Sequence, residues 1–162
     1  MDYALSALAF VAAIGSAIIG GVFYGFSSFV MRALRRIAPR QGVAAMNSIN
    51  VVVITPSFML PFVGTALLCL VLAGGSWFWW AEVSGKLVLA AALLYLFGSF
   101  GLTMVLNQPM NLRLAALEPD QALAYWPEYV RTWTAWNHVR TAASLVATVL
   151  FFAALLTRPM AN

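Results

Sequence analysis

Four stretches of this chain, 3–31, 50–72, 85–106 and 133–157, are each long and apolar enough to cross a bilayer as a helix, which takes ~20 residues. That feature fixes the solvent. Only 9% of the residues are charged, against ~25% in a soluble domain, so the surface of the folded chain belongs in lipid. The expected fold class is all-α: an integral membrane four-helix bundle, a single transmembrane domain over 1–162. The first run has Asp2 as its only early charge and outlasts the short apolar core of a secretion signal, so it is read as a retained helix.

The links differ in character. The first is basic, with Arg32, Arg35, Arg36 and Arg40 around a turn at Pro39. The second holds Gly74, Gly75 and a cluster of Trp77, Phe78, Trp79 and Trp80, residues that settle at membrane interfaces. The third, 107–132, is the longest; it contains Pro109, Pro119 and Pro127 and is expected to form short interfacial helices over 112–117 and 119–125. If the first link is cytoplasmic, so is the third. Arg32, Arg35, Arg36, Arg40, Arg113, Arg131 and Arg140 then lie inside and only Lys86 and Arg158 outside, with both termini outside the cytoplasm. The net charge of +4 therefore reads as orientation, not as a nucleic-acid surface.

Small residues suggest close helix contacts. Gly21 and Gly25, with Gly20 and Ser16 nearby, mark one face of the first helix, and Gly98 and Gly101 lie close in the third. Such faces let backbones approach in lipid, within one chain or between copies, so a homo-oligomer stays open. Pro56 and Pro61 fall within the second span and should bend it.

Polar side chains at membrane depth are costly and often functional, and here they gather. Tyr24, Ser27 and Ser28 lie near the inner end of the first helix. Asn47 and Asn50, three apart and on one face, open the second. Asn107 and Asn111 flank Pro109 at the inner end of the third, and Trp133, Trp136, Asn137, His138, Arg140 and Thr141 open the fourth. All fall at one depth. Asn137 and His138 are ~100° apart around their helix, so both can flank one cavity. Arg140 can face inward to an anion or outward to lipid phosphate. Each residue also has a plain structural reading. His138 can serve as a donor to a carbonyl, and the asparagines as caps and interhelical glue. Trp126, Trp133, Trp136, Tyr125 and Tyr129 can form an aromatic belt. Cys69 can be a small buried hydrophobe, and the first-link arginines topology signals or lipid contacts.

Some chemistry is set aside. One histidine and one cysteine cannot build an ordinary zinc or di-iron site. No Gly-rich phosphate loop occurs. No carboxylate lies within a span to carry protons in transport. A haem held by one axial imidazole stays open.

The segments Met46-Asn47-Ser48-Ile49-Asn50, Asn107-Gln108-Pro109-Met110-Asn111 and Trp133-Thr134-Ala135-Trp136-Asn137-His138-Val139-Arg140-Thr141, in that order and spacing, resemble the anthrone oxygenase family. These are small four-helix membrane proteins, mostly bacterial, and the resemblance covers almost the whole chain. It implies a bacterial inner membrane protein that oxidises an anthrone, a flat apolar polyphenol with an acidic methylene, to an anthraquinone. The anthrolate left by loss of a proton reacts with O2 without metal or flavin, so no cofactor and no metal ligand is expected. On this reading His138 is the base, and Asn137 and Arg140 complete the catalytic set. Asn50, Asn107, Asn111, Asn137 and Arg140 are donors to oxyanions. Trp133 and Trp136 stack on the ring, and Asn47 and Tyr24 also line the substrate site. The partners implied are the lipid bilayer and a small lipophilic aromatic ligand. Two other functions fit the same residues. One is a non-enzymatic module that binds a quinone or other lipophile, or a haem or small-molecule carrier. The other is a pore or transporter, which the lack of charge along the spans disfavours for ions.

Overall fold

Apolar continuity sets where the helices run, and proline sets where three of them begin. The computed structural model describes residues 3–157, and among these every regular element is helical. Five helices carry the fold: α1 (Tyr3–Leu34), α2 (Pro39–Val52), α3 (Pro56–Trp79), α4 (Val83–Ala116) and α5 (Pro119–Leu156). All except α2 are long and apolar enough to cross a membrane. Pro39, Pro56 and Pro119 each occupy the first position of a helix, where the missing N–H is no loss. The residue before each is extended, as a following proline demands: ψ is 137° at Ala38, 155° at Thr55 and 153° at Glu118.

This placement corrects the reading of the second span. The expected helix over 50–72 is broken between Val52 and Pro56, because Pro56 forces Thr55 out of helical geometry. Asn47 and Asn50 therefore belong to α2, and only Pro61 lies inside α3. The third link differs as well. Residues 112–117 are helical through Ala116 and 119–125 throughout, but as the continuous ends of α4 and α5. Pro127 sits inside α5 on an exposed face, where water can take the carbonyl it frees. Arg158 lies outside the described residues.

The spans form a ring in which α1 contacts α5, α5 contacts α4, α4 contacts α3 and α3 contacts α1. Hydrophobic burial does not drive helix association in lipid, so close van der Waals contact must. The interior is accordingly rich in small residues: Ala9, Ala12, Ala13, Ser16, Ala91, Ala92, Ala147 and Ala154 are all fully buried. At the α1–α3 crossing a Cβ on Gly15 would collide with Thr65, and at the α4–α5 crossing a Cβ on Gly98 would lie 2.7 Å from that of Ala143. A Cβ on Gly21, by contrast, would meet nothing within 4 Å among the described residues.

A second core closes the arginine-rich end, where α2 crosses α5. Met31, Met46, Leu114, Tyr125, Trp126, Tyr129 and Trp133 are buried together there. Trp126, Tyr129 and Trp133 form a ladder of stacked rings with centroids 5.6 and 6.3 Å apart. The aromatic-belt reading fails for these residues, because α2 and the ends of α1 and α4 cover the face they occupy.

Candidate functional site

Two spans leave α-helical geometry where they reach the polar cluster. α1 takes π-helical hydrogen bonds over Phe26–Val30, and α4 does so over Leu94–Gly101 and Thr103–Asn107. A π turn inserts an extra residue and re-aims the side chains around it, often at functional sites. Here Ser27, Ser99, Thr103 and Asn107 all point to α5 and bond to it.

Trp133, Asn137, Arg140, Thr141 and Ser144 share one face of α5, and all are buried. Asn137 Nδ2 donates to the Phe23 carbonyl at 2.8 Å and to Ser27 Oγ at 2.6 Å, while its Oδ1 accepts from Arg140 Nε at 3.0 Å. Arg140 Nη1 donates to Thr103 Oγ1 at 3.2 Å. The guanidinium carbon lies 4.1 Å from the Phe23 ring centre and 4.7 Å from that of Trp133. Cation–π attraction draws it to both rings. Arg140 is only 4% exposed, yet every hydrogen-bond partner it has is neutral. A buried cation without a counter-ion is a substantial energetic burden that bulk stability does not explain.

A cavity of about 170 Å³ lies before this guanidinium. Phe23, Phe26, Phe58, Phe62, Met46, Met59, Met104 and Trp133 give it apolar walls, and Asn50, Thr103, Gln108, Asn111 and Arg140 supply its polar points. Asn111 Oδ1 accepts from the Tyr129 hydroxyl and from Trp133 Nε1, both at 2.8 Å, which fixes the indole against the arginine. Asn50 Nδ2 is buried and has no partner, as is Asn107 Oδ1. Val53 and Ile54, in the break between α2 and α3, form part of the rim. Arg140 stands ~24 Å along the helix from Leu156. Against a ~30 Å hydrocarbon layer that puts it near the boundary on the arginine-rich side.

The residues singled out in the sequence divide. Asn50, Asn111, Trp133 and Arg140 line one cavity. Asn137 and Asn107 stand behind it: Asn137 orients Arg140, and Asn107 Nδ2 donates to the Trp133 carbonyl at 3.2 Å. Asn47, half-buried on α2, is not among the residues lining this cavity, although its Oδ1 is buried and unbonded. Tyr24 is 58% exposed, and Trp136 is half-buried away from the cavity. His138 is exposed and faces a separate open groove between α1 and α5. The expectation that asparagines, tryptophans and the imidazole share one pocket is thus corrected. The ~100° step from Asn137 that should let both flank a cavity instead carries His138 off the buried face.

Phe23 and Thr103 contact Arg140 but were not singled out in the sequence, and Tyr129, read there as a belt residue, instead donates to Asn111. Thr103 and Tyr129 each stand four residues before a recognised polar or aromatic position, Asn107 and Trp133, and so share its face. Phe23 carries no such signal.

The fold and the cavity define a class: a membrane-embedded four-helix bundle with an internal apolar cavity that is cationic at one point. Among the described residues, no three His, Cys, Asp or Glu side chains converge as metal ligands. The anthrone oxygenase family profile matches residues 57–150, more than half of the chain, and the protein belongs to that family. It is therefore an oxygenase-like membrane protein. The match includes Thr103, Asn111, Trp133 and Arg140, whereas Asn50 and α1 lie outside it. Comparison with curated proteins and with solved structures gives no match.

Proposed function

We propose that the protein oxidises a lipophilic aromatic substrate of the anthrone type with molecular oxygen, in the cavity before Arg140 and without metal or flavin. The observation that carries this reading is the buried guanidinium, which has only neutral partners and faces an apolar, aromatic-walled space. An anthrone ionises at its methylene, and the negative charge moves to the ketone oxygen. On this reading Arg140 holds that oxyanion, with the unpaired Asn50 amide as a second donor; that both line the cavity supports it. The lining contains no carboxylate or imidazole, so the methylene proton passes to water at the rim formed by Val53 and Ile54. The anthrolate carbon then gives its electron pair to O2, forming a C–O bond. The protonated hydroperoxide loses water, and the balance is CH2 + O2 → C=O + H2O.

Ligand pockets usually exceed ~300 Å³, so a tricyclic guest must widen the 170 Å³ cavity. Met46, Met59 and Met104 are wall residues suited to repacking. The positive-inside pattern supports a bacterial inner membrane orientation with the cavity toward the cytoplasm and both termini outside it. Substrate then arrives from the inner leaflet.

A second reading, a module that binds a quinone without turning it over, is favoured by the same missing base. Incubating the purified protein with anthrone under oxygen and following quinone absorption separates the two. The oxygenase forms quinone above the protein-free rate, and Arg140→Met loses that excess. A protein that only binds leaves the rate unchanged while still taking up anthraquinone.

A further inference from the structure

The larger cavity lies on the other side of α5 and has no part in the proposed reaction. It is an open groove of about 920 Å³ between the arginine-rich end of α1, the turn before α2, and the first half of α5. Arg32, Arg35, Arg131 and His138 all line it, against a single acidic residue, Glu128. None of these four basic side chains makes a hydrogen bond or an ion pair with another described residue. Thr134, also in the lining, has a buried hydroxyl without a partner. The groove therefore offers several unfilled donors and an excess of positive charge.

What continues from the groove narrows the ligand. On α5, Ala142, Leu145 and Val149 follow His138 by four, seven and eleven residues, so they share its face, and all are exposed. This apolar track runs from the groove toward the middle of the span. A basic groove near the membrane boundary that leads into an apolar strip matches an amphiphile with an anionic head. Guanidinium forks suit the oxygens of a phosphate, and the strip suits an acyl chain.

We propose that this groove binds the phosphate headgroup of an anionic membrane lipid, with one acyl chain along Ala142, Leu145 and Val149. The site lies outside the Arg140 cavity and does not depend on the oxidation chemistry proposed for it.

The test uses the full chain, stripped of lipid in a neutral detergent and titrated with phosphatidylglycerol, phosphatidylcholine or inorganic phosphate, with binding followed by native mass spectrometry. Phosphatidylglycerol should bind in preference to phosphatidylcholine. The double variant Arg35→Gln, Arg131→Gln should weaken phosphatidylglycerol roughly 25-fold, at roughly fivefold per basic residue removed. Both arginines are exposed, so the double variant should keep its helical circular dichroism, and Val149→Asp interrupts the track without touching the charges. Equal affinity for the two lipids, or unchanged phosphatidylglycerol binding in both variants, would overturn the proposal. So would inorganic phosphate displacing the lipid at equal concentration, which would mark the groove as a soluble-anion site.

Discussion

Arg140→Met separates a functional arginine from a structural one, because the two make opposite demands on stability. The substitution removes the hydrogen bonds to Asn137 Oδ1 (3.0 Å) and Thr103 Oγ1 (3.2 Å). Only the Thr103 bond joins two helices, and such bonds in a bilayer average ~0.6 kcal/mol; within α5, an unpaired Asn137 Oδ1 adds ~1–3 kcal/mol. Losing the contacts with Phe23 and Trp133 removes ~0.5–2 kcal/mol apiece. Set against these losses is relief from burying a cation with no counter-ion, itself worth several kcal/mol. The opposing terms are of similar size, so the thermal midpoint should stay close to the parent's. Catalysis has no such compensation: loss of one oxyanion donor lowers turnover roughly 10²–10³-fold. The assay pairs thermal circular dichroism in detergent with quinone formation from anthrone under oxygen. A variant that unfolds at room temperature would show that Arg140 holds the bundle together. A folded variant with parental turnover would remove the cavity from the mechanism.

Asn50→Ala deletes a buried donor that has no partner, so stability should hold or rise while turnover drops about tenfold or more; thermal midpoints and initial rates read both. Gly98→Val drives a side chain into Ala143 at the α4–α5 crossing and should cost ~1–3 kcal/mol. At exposed Gly21 an added Cβ meets nothing within 4 Å, so Gly21→Ala should leave the thermal midpoint almost unmoved. His138→Ala should retain parental quinone formation, because the imidazole faces the groove between α1 and α5; collapse of turnover in a folded protein would restore it as the base.

The spans were legible because a run of apolar residues has only one way to lie in lipid, and α1 follows it closely, whereas α5 ends where expected but begins at Pro119, well before the expected 133. What proline does was only half legible. Pro56 falls inside an apolar run and reads as a kink, yet it starts α3 and detaches α2, since the polar stretch before it gains by folding across the bundle end. Pro127 lies just past the short helix expected over 119–125, yet the helix runs through it at an exposed face. For the cavity, Asn50, Asn111, Trp133 and Arg140 were recognisable as polar or aromatic residues at one depth. The side each faces was not, because neighbours such as Asn137 and His138 differ by ~100°, and helix rotation is set by distant partners such as Ser27 and Phe23. The π turns that aim Thr103 and Asn107 leave no trace in composition. Phe23 looks like any other apolar residue of α1 until Arg140 lies over its ring.

The most direct measurement is a structure of the protein with anthraquinone bound. A carbonyl oxygen of the ligand within hydrogen-bonding distance of the Arg140 guanidinium, its rings beside Trp133 and the methionines displaced, is the expected result. Anthraquinone seated in the His138 groove, with the inner cavity still closed around an unliganded arginine, would contradict it.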